Sequence, residues 1–213
     1  MKTDDLIKAL AADAKSVEPP IAQTVALAVG VGALVSTLLF LWALGIRGNF
    51  MDSIATSIRF IFKFVLTMSV IIPAFLLVRG LSRPDFQPGN NLWWLALAPL
   101  LLLAAILLEL ASVPADAWHA RMMGHNAVPC MIIIPLLSLA PLAAIFYALR
   151  RGAPVDPTIA GAVGGLLSAG IGATLYASHC PDDSPLFLAA WYTIGFVLMT
   201  ALGALIGSRF LRW

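Results

Sequence analysis

The sequence predicts an all-α membrane protein: a polytopic bundle of six transmembrane helices with a short N-terminal amphipathic helix. Three observations predict it. Apolar residues make up 61% of the 213 and charged residues only 11%, against roughly a quarter charged in a soluble domain. The apolar residues gather into six stretches, each long enough at about 1.5 Å per residue to cross a hydrocarbon core. Within those stretches apolar and polar residues do not alternate, so the chain crosses as helices rather than as barrel strands.

The stretches fall at roughly 22–46, 59–79, 92–113, 129–149, 158–177 and 187–208. Turn-rich connectors separate them: Arg47–Ile58, Gly80–Asn91, Pro114–Val128, Arg150–Pro157 and Ser178–Leu186. Residues 1–20 form a soluble N-terminal segment and 21–213 the membrane domain. Basic residues set the orientation. With the N-terminus inside, nine Lys and Arg lie on the inner side and four (Arg47, Arg59, Lys63 and Arg121) on the outer side. Both termini are therefore expected in the cytoplasm. Trp93, Trp94 and Trp213 then mark the inner interface, and Trp42, Trp118 and Trp191 the outer one. The first apolar stretch is too long for a signal peptide and follows an acidic segment, so no cleaved leader is expected. A net charge of +2 with no basic run gives no footprint for nucleic acid.

In the N-terminal segment Thr3 can cap a helix, with Asp4 and Asp5 in its first turn against the positive helix end. Leu6, Ile7, Leu10, Ala14 and Val17 share one face, and Asp4 and Lys8 pair at i,i+4. Glu18-Pro19-Pro20 ends the helix. So short a helix is marginal alone in water and needs a surface. Its side chains are net acidic, whereas interfacial anchors carry basic faces, so a groove on a cytoplasmic protein fits better than the bilayer surface.

Inside the spans, Gly161 and Gly165 in the fifth and Gly203 and Gly207 in the sixth sit four apart, the spacing that lets helix backbones approach closely. Charges in spans need partners. Arg59 and Lys63 open the second span at the depth where Glu109 closes the third, so Glu109 is expected to pair with Arg59 or Lys63 as a structural brace. No further ionisable groups lie deep enough for an ion-coupled pump.

Both cysteines, Cys130 and Cys180, and all three histidines, His119, His125 and His179, fall on the outer side. Cys130 opens the fourth span, where the helix dipole favours a thiolate. Cys180 trails the fifth. Three readings remain open: a structural disulfide, a redox- or metal-responsive pair, or two plain thiols. A transient soft metal would use Cys130 and Cys180 with one or two of His125, His179 and His119. Of the two thiols Cys130 is expected to be the more reactive. No clustered catalytic constellation marks an enzyme, and no resident cofactor is expected.

Several segments carry a resemblance: TDDLIKALAAD at the start, Cys130 opening a span, LRRGAP at 149–154, AGAVGGLLSAG at 160–170, YASHCPDDSP at 176–185, WYTIGF at 191–196 and the terminal GSRFLRW. Over nearly the whole chain the sequence resembles the NrsF family (negative regulator of sigma F), six-span anti-sigma factors of bacterial inner membranes. The resemblance implies a protein that holds an extracytoplasmic-function sigma factor at the membrane. It implies Leu6, Ile7, Leu10 and Asp13 as sigma contacts, and Cys130 and Cys180 as sensors of oxidants or heavy metals. The alternative reading is a small membrane permease or metal-handling protein using the same outer thiols.

Overall fold

The structure, a computed structural model, describes residues 3–13, 20–86 and 89–211, the side chains of 9–13, 90 and 91 excepted. Leu10 and Asp13 are thus placed by backbone only. Trp213 and the segment 14–19 lie outside the described residues.

The described residues form helices joined by turns and loops, without strands. Helix α1 (Thr3–Asp13) precedes the spans. Six helices are long and apolar enough to cross a membrane: α2 (Ile21–Ala43), α4 (Ile58–Leu81), the Leu92–Ser112 span, α7 (Ala127–Leu149), α8 (Pro157–Ala177) and α9 (Pro185–Phe210). Short helices α3 (Phe50–Thr56) and α6 (Trp118–Met123) lie in connectors. The third span enters through a 3-10 segment, Gly89–Ala96, and continues as α5 (Leu97–Ser112).

The ends of these helices follow local chemistry. Gly45 takes a positive φ of 71°, the left-handed conformation that closes a helix C-terminus. It stops α2 earlier than hydropathy alone suggests. The Asp156 carboxylate accepts from the amides of Thr158 and Ile159 and caps α8, with Pro157 in the first turn, where a missing amide proton costs nothing. Ser184 caps α9 in the same way through the Leu186 amide.

Backbone contact governs the centre of the bundle. A Cβ at Gly161 would overlap the carbonyl oxygen of Gly203 and lie 2.8 Å from the Gly207 Cα. A Cβ at Gly203 would meet the Gly161 carbonyl oxygen and the Gly165 Cα. The four glycines form one seam along which α8 and α9 touch main chain to main chain. On its other flank α2 crosses α7 where Gly32 meets the Pro141 backbone. Pro141 has no N–H to give the Leu137 carbonyl one turn back, and the buried Ser36 hydroxyl donates to that carbonyl instead, at 2.6 Å. Helix α9 is irregular: residues Leu188–Tyr192 form a π turn.

Two apolar clusters divide the bundle along its length. One joins the start of α2 and α8 to the close of α4, α7 and α9 through Val25, Ala160, Leu81, Leu149 and Leu211. The other, at the opposite end, contains Phe40, Phe187, Cys130 and Cys180.

Candidate thiol site

Both cysteines are free and fully buried at the same end of the bundle. Cys130 lies in the first turns of α7, its amide already bonded to the Asn126 carbonyl at 2.9 Å. Cys180 follows α8, and its amide closes that helix on Tyr176. Cys130 lies in the same buried cluster as Cys180, and its side chain acts to lower the Cys180 pKa. Burial opposes that shift and the Lys63 ammonium reinforces it. A thiolate is therefore favoured on Cys180. The Lys63 ammonium stands against the Cys180 carbonyl at 2.8 Å and favours negative charge on the Cys180 sulfur, which weighs against the expectation that Cys130 is the more reactive thiol.

Lys63 is the centre of the polar network. Its side chain is wholly buried, and a buried ammonium persists only when fully partnered. It donates to the Cys180 carbonyl at 2.8 Å and the Asp182 carbonyl at 3.3 Å, and pairs with the Asp183 carboxylate at 2.6 Å. Arg47 reaches the same Cys180 carbonyl at 3.3 Å and Asp183 at 3.4 Å, with its guanidinium 4.0 Å above the Phe60 ring. The connector after α2 and the first turns of α4 thus hold the cysteine loop from two sides.

Of the two partners expected for Glu109, Arg59 forms the pair and Lys63 turns to Asp183 instead. Lys63 lies one helical turn inside Arg59, deep enough to reach the 178–186 loop rather than the rim. Glu109 pairs with Arg59 at 3.5 Å and with Arg121, supplied by α6, at 2.9 Å. It also accepts from the Ser184 hydroxyl at 2.8 Å and the Leu186 amide at 3.2 Å. A carboxylate against the first amides of α9 complements that helix end. Glu109 therefore ties α5, α6 and α9 together.

Asp182 fixes the start of α7. Its carboxylate accepts from the amides of His125 and Asn126 and from the Asn126 side chain, at 2.9 to 3.1 Å. Burial pushes this carboxyl upward, but the hydrogen bonds from Asn126 and His125 outweigh it and hold the group below the usual carboxylate value.

The histidines do not converge on the thiols. His125 is almost fully exposed, with Nδ1 3.6 Å from Asp182. His179 turns Nδ1 to the Gly45 carbonyl at 3.0 Å, and His119 is exposed. Among the described residues no three His, Cys, Asp or Glu side chains are arranged to hold a metal ion. Two tyrosines outside the predicted set stand in the cysteine cluster instead. The hydroxyls of Tyr176 and Tyr192 are buried without a partner among the described residues. Nothing in the one-dimensional pattern separates them from ordinary aromatic filling. A cavity of about 440 Å³, lined by Arg59, Arg121, Gly124, His125, Asp182 and Ser184, opens over the loop that carries Cys180.

The chain as a whole has relatives among known proteins. The chain is 35% identical to the anti-sigma-F factor NrsF of Caulobacter vibrioides and 32% identical to the probable anti-sigma-F factor NrsF of Azospira oryzae, each over the full length of both chains. No solved structure matches it. The profile of NrsF, negative regulator of sigma F, matches residues 10–213, and the chain belongs to that family.

Proposed function

We propose that the chain is a membrane-embedded anti-sigma factor. It holds an extracytoplasmic-function sigma factor through α1 on the cytoplasmic side of a bacterial inner membrane. It releases sigma when Cys130 and Cys180 react with an oxidant or bind a soft metal ion on the other side. Family membership supports the anti-sigma role. The observation that carries the signalling part is the burial of both thiols in one cluster, at a joint where α4, α7, α8 and the lead into α9 are hydrogen-bonded together. Oxidation would join the sulfurs, with two electrons passing to the oxidant and protons leaving both thiols. The bond would alter the set of α7 against α8. The main-chain seam between α8 and α9 carries such a shift toward the opposite end, where α2 begins. A signal acts this way only by favouring one of two states.

On α1, Leu6 and Ile7 are exposed, at 42% and 58%, and offer an apolar strip to a partner groove. Replacing both by aspartate should release sigma and raise sigma-dependent transcription without any stress. An anchoring apolar contact is worth about 2 kcal/mol, or roughly 30-fold in affinity per residue. Unchanged repression in the double variant removes α1 from the sigma interface.

Serine at either cysteine should abolish the response to oxidant and to thiophilic metal while basal repression persists. The assay is co-purification of sigma with the wild-type protein and with Cys130→Ser and Cys180→Ser, before and after treatment. Release of sigma from both serine variants, as from wild type, rules out thiol sensing.

A further inference from the structure

A second cavity lies at the end away from the thiols. It is a groove of about 440 Å³ between α4 and the segment leading into α5, within the usual 300–1,000 Å³ range of ligand pockets. Its α4 wall is Met68, Ile72 and Leu76, and its other wall is Trp94 and Leu97, with Phe86 across one end. Ile72 and Leu76 are each 58% exposed and Trp94 is 64% exposed, so the groove opens sideways, toward the bilayer. The Phe86 ring sits on Gly80, where an added Cβ would come within 2.5 Å of it.

Two arginines follow the α4 wall of this groove along the chain. Arg79 follows Ile72 and Leu76 at helical spacings of seven and three, so it continues the same stripe of α4. Arg83 lies one turn further on. The Arg79 Nε is buried and has no partner among the described residues, although its guanidinium lies 5.5 Å from the Phe75 ring centre. Asp85 is the one carboxylate near them in sequence, so this stretch of chain is net positive.

We propose that this groove binds an anionic phospholipid: one acyl chain lies along Ile72 and Leu76 between the Trp94 and Leu97 side chains, and the phosphate is held by Arg79 and Arg83. An apolar slot with a basic mouth between membrane helices is the arrangement that selects acidic headgroups. The slot is too apolar for a polar metabolite, and its sideways opening faces the solvent that acyl chains form.

The test uses the full-length protein in nanodiscs and detergent. Native mass spectrometry after exchange into mixed phosphatidylglycerol and phosphatidylcholine should show phosphatidylglycerol retained preferentially. Each arginine contributes about a fivefold preference. Arg79→Gln with Arg83→Gln should remove that preference and keep residual, headgroup-blind retention. Leu76→Trp, at an exposed position that tolerates bulk, should fill the slot and lose retention of both lipids. Equal retention of the two lipids by the wild type overturns the proposal. So does undiminished phosphatidylglycerol preference in the arginine pair. None of these readouts involves sigma, so their outcome is independent of the anti-sigma reading.

Discussion

Gly161→Leu is expected to prevent α8 and α9 from meeting and to leave little folded protein. The site has no room for a side chain, because the first atom added would overlap the Gly203 carbonyl oxygen, and backbone cannot rotate away as a side-chain tip can. Extra methylenes forced into a packed interior cost about 1–3 kcal/mol. Gly161→Ala should fall in that range, with the leucine variant beyond it. Gly30 is the control, since an added Cβ there meets nothing within 4 Å. Gly30→Ala should unfold with the wild type in a detergent-solubilised thermal scan, while Gly161→Ala unfolds several degrees lower. Equal midpoints for the two alanine variants would show that the seam contributes nothing to stability.

Lys63→Met carries the second large effect, and its consequences extend beyond stability. The substitution keeps the length of the side chain and removes the ammonium. The carbonyls of Cys180 and Asp182 lose a donor, and Asp183 retains only the longer pair with Arg47. Breaking one partner of a buried ion pair costs about 3–5 kcal/mol. The lower end applies here, because Asp183 is 19% exposed and Arg47 remains. The second readout is chemical. Lys63 favours the Cys180 thiolate, so its loss raises the Cys180 pKa and moves the midpoint of cysteine alkylation to higher pH. Lys63→Arg should restore the charge and return the midpoint most of the way. A midpoint indifferent to Lys63 would mean that the ammonium serves the loop and not the thiol.

Which features the sequence disclosed depends on whether their cause is local. Six spans are legible because length and hydropathy decide them, whatever their neighbours do. Their ends follow within a few residues, and the largest departure, at the close of α2, belongs to a left-handed glycine. The glycine seam is legible too, since small residues four apart on two consecutive spans leave few other partners. The polar network over the thiols is not, because it is built by the 178–186 loop folding across the bundle end. Whether Lys63 reaches Glu109 or Asp183 depends on how far that loop descends, which no periodicity encodes. Arg121 escaped as the partner of Glu109 for the same reason: it stands on α6, a helix of one and a half turns within a connector. The relation of Cys130 to Cys180 required both the loop and its lysine.

The π turn at Leu188–Tyr192 gives α9 a property that a regular helix would lack. Each residue advances a helix by roughly 100°, and a π turn accommodates one residue more than an α-helical turn would. It therefore acts as a phase setter between the Glu109-bound start of α9 and the face bearing Gly203 and Gly207. Were the turn rewound to regular α geometry, everything beyond Tyr192 would rotate by about that angle, and the glycines would leave α8. A single residue thus keeps the two halves of one screw in step, and the clutch lies beside the thiols.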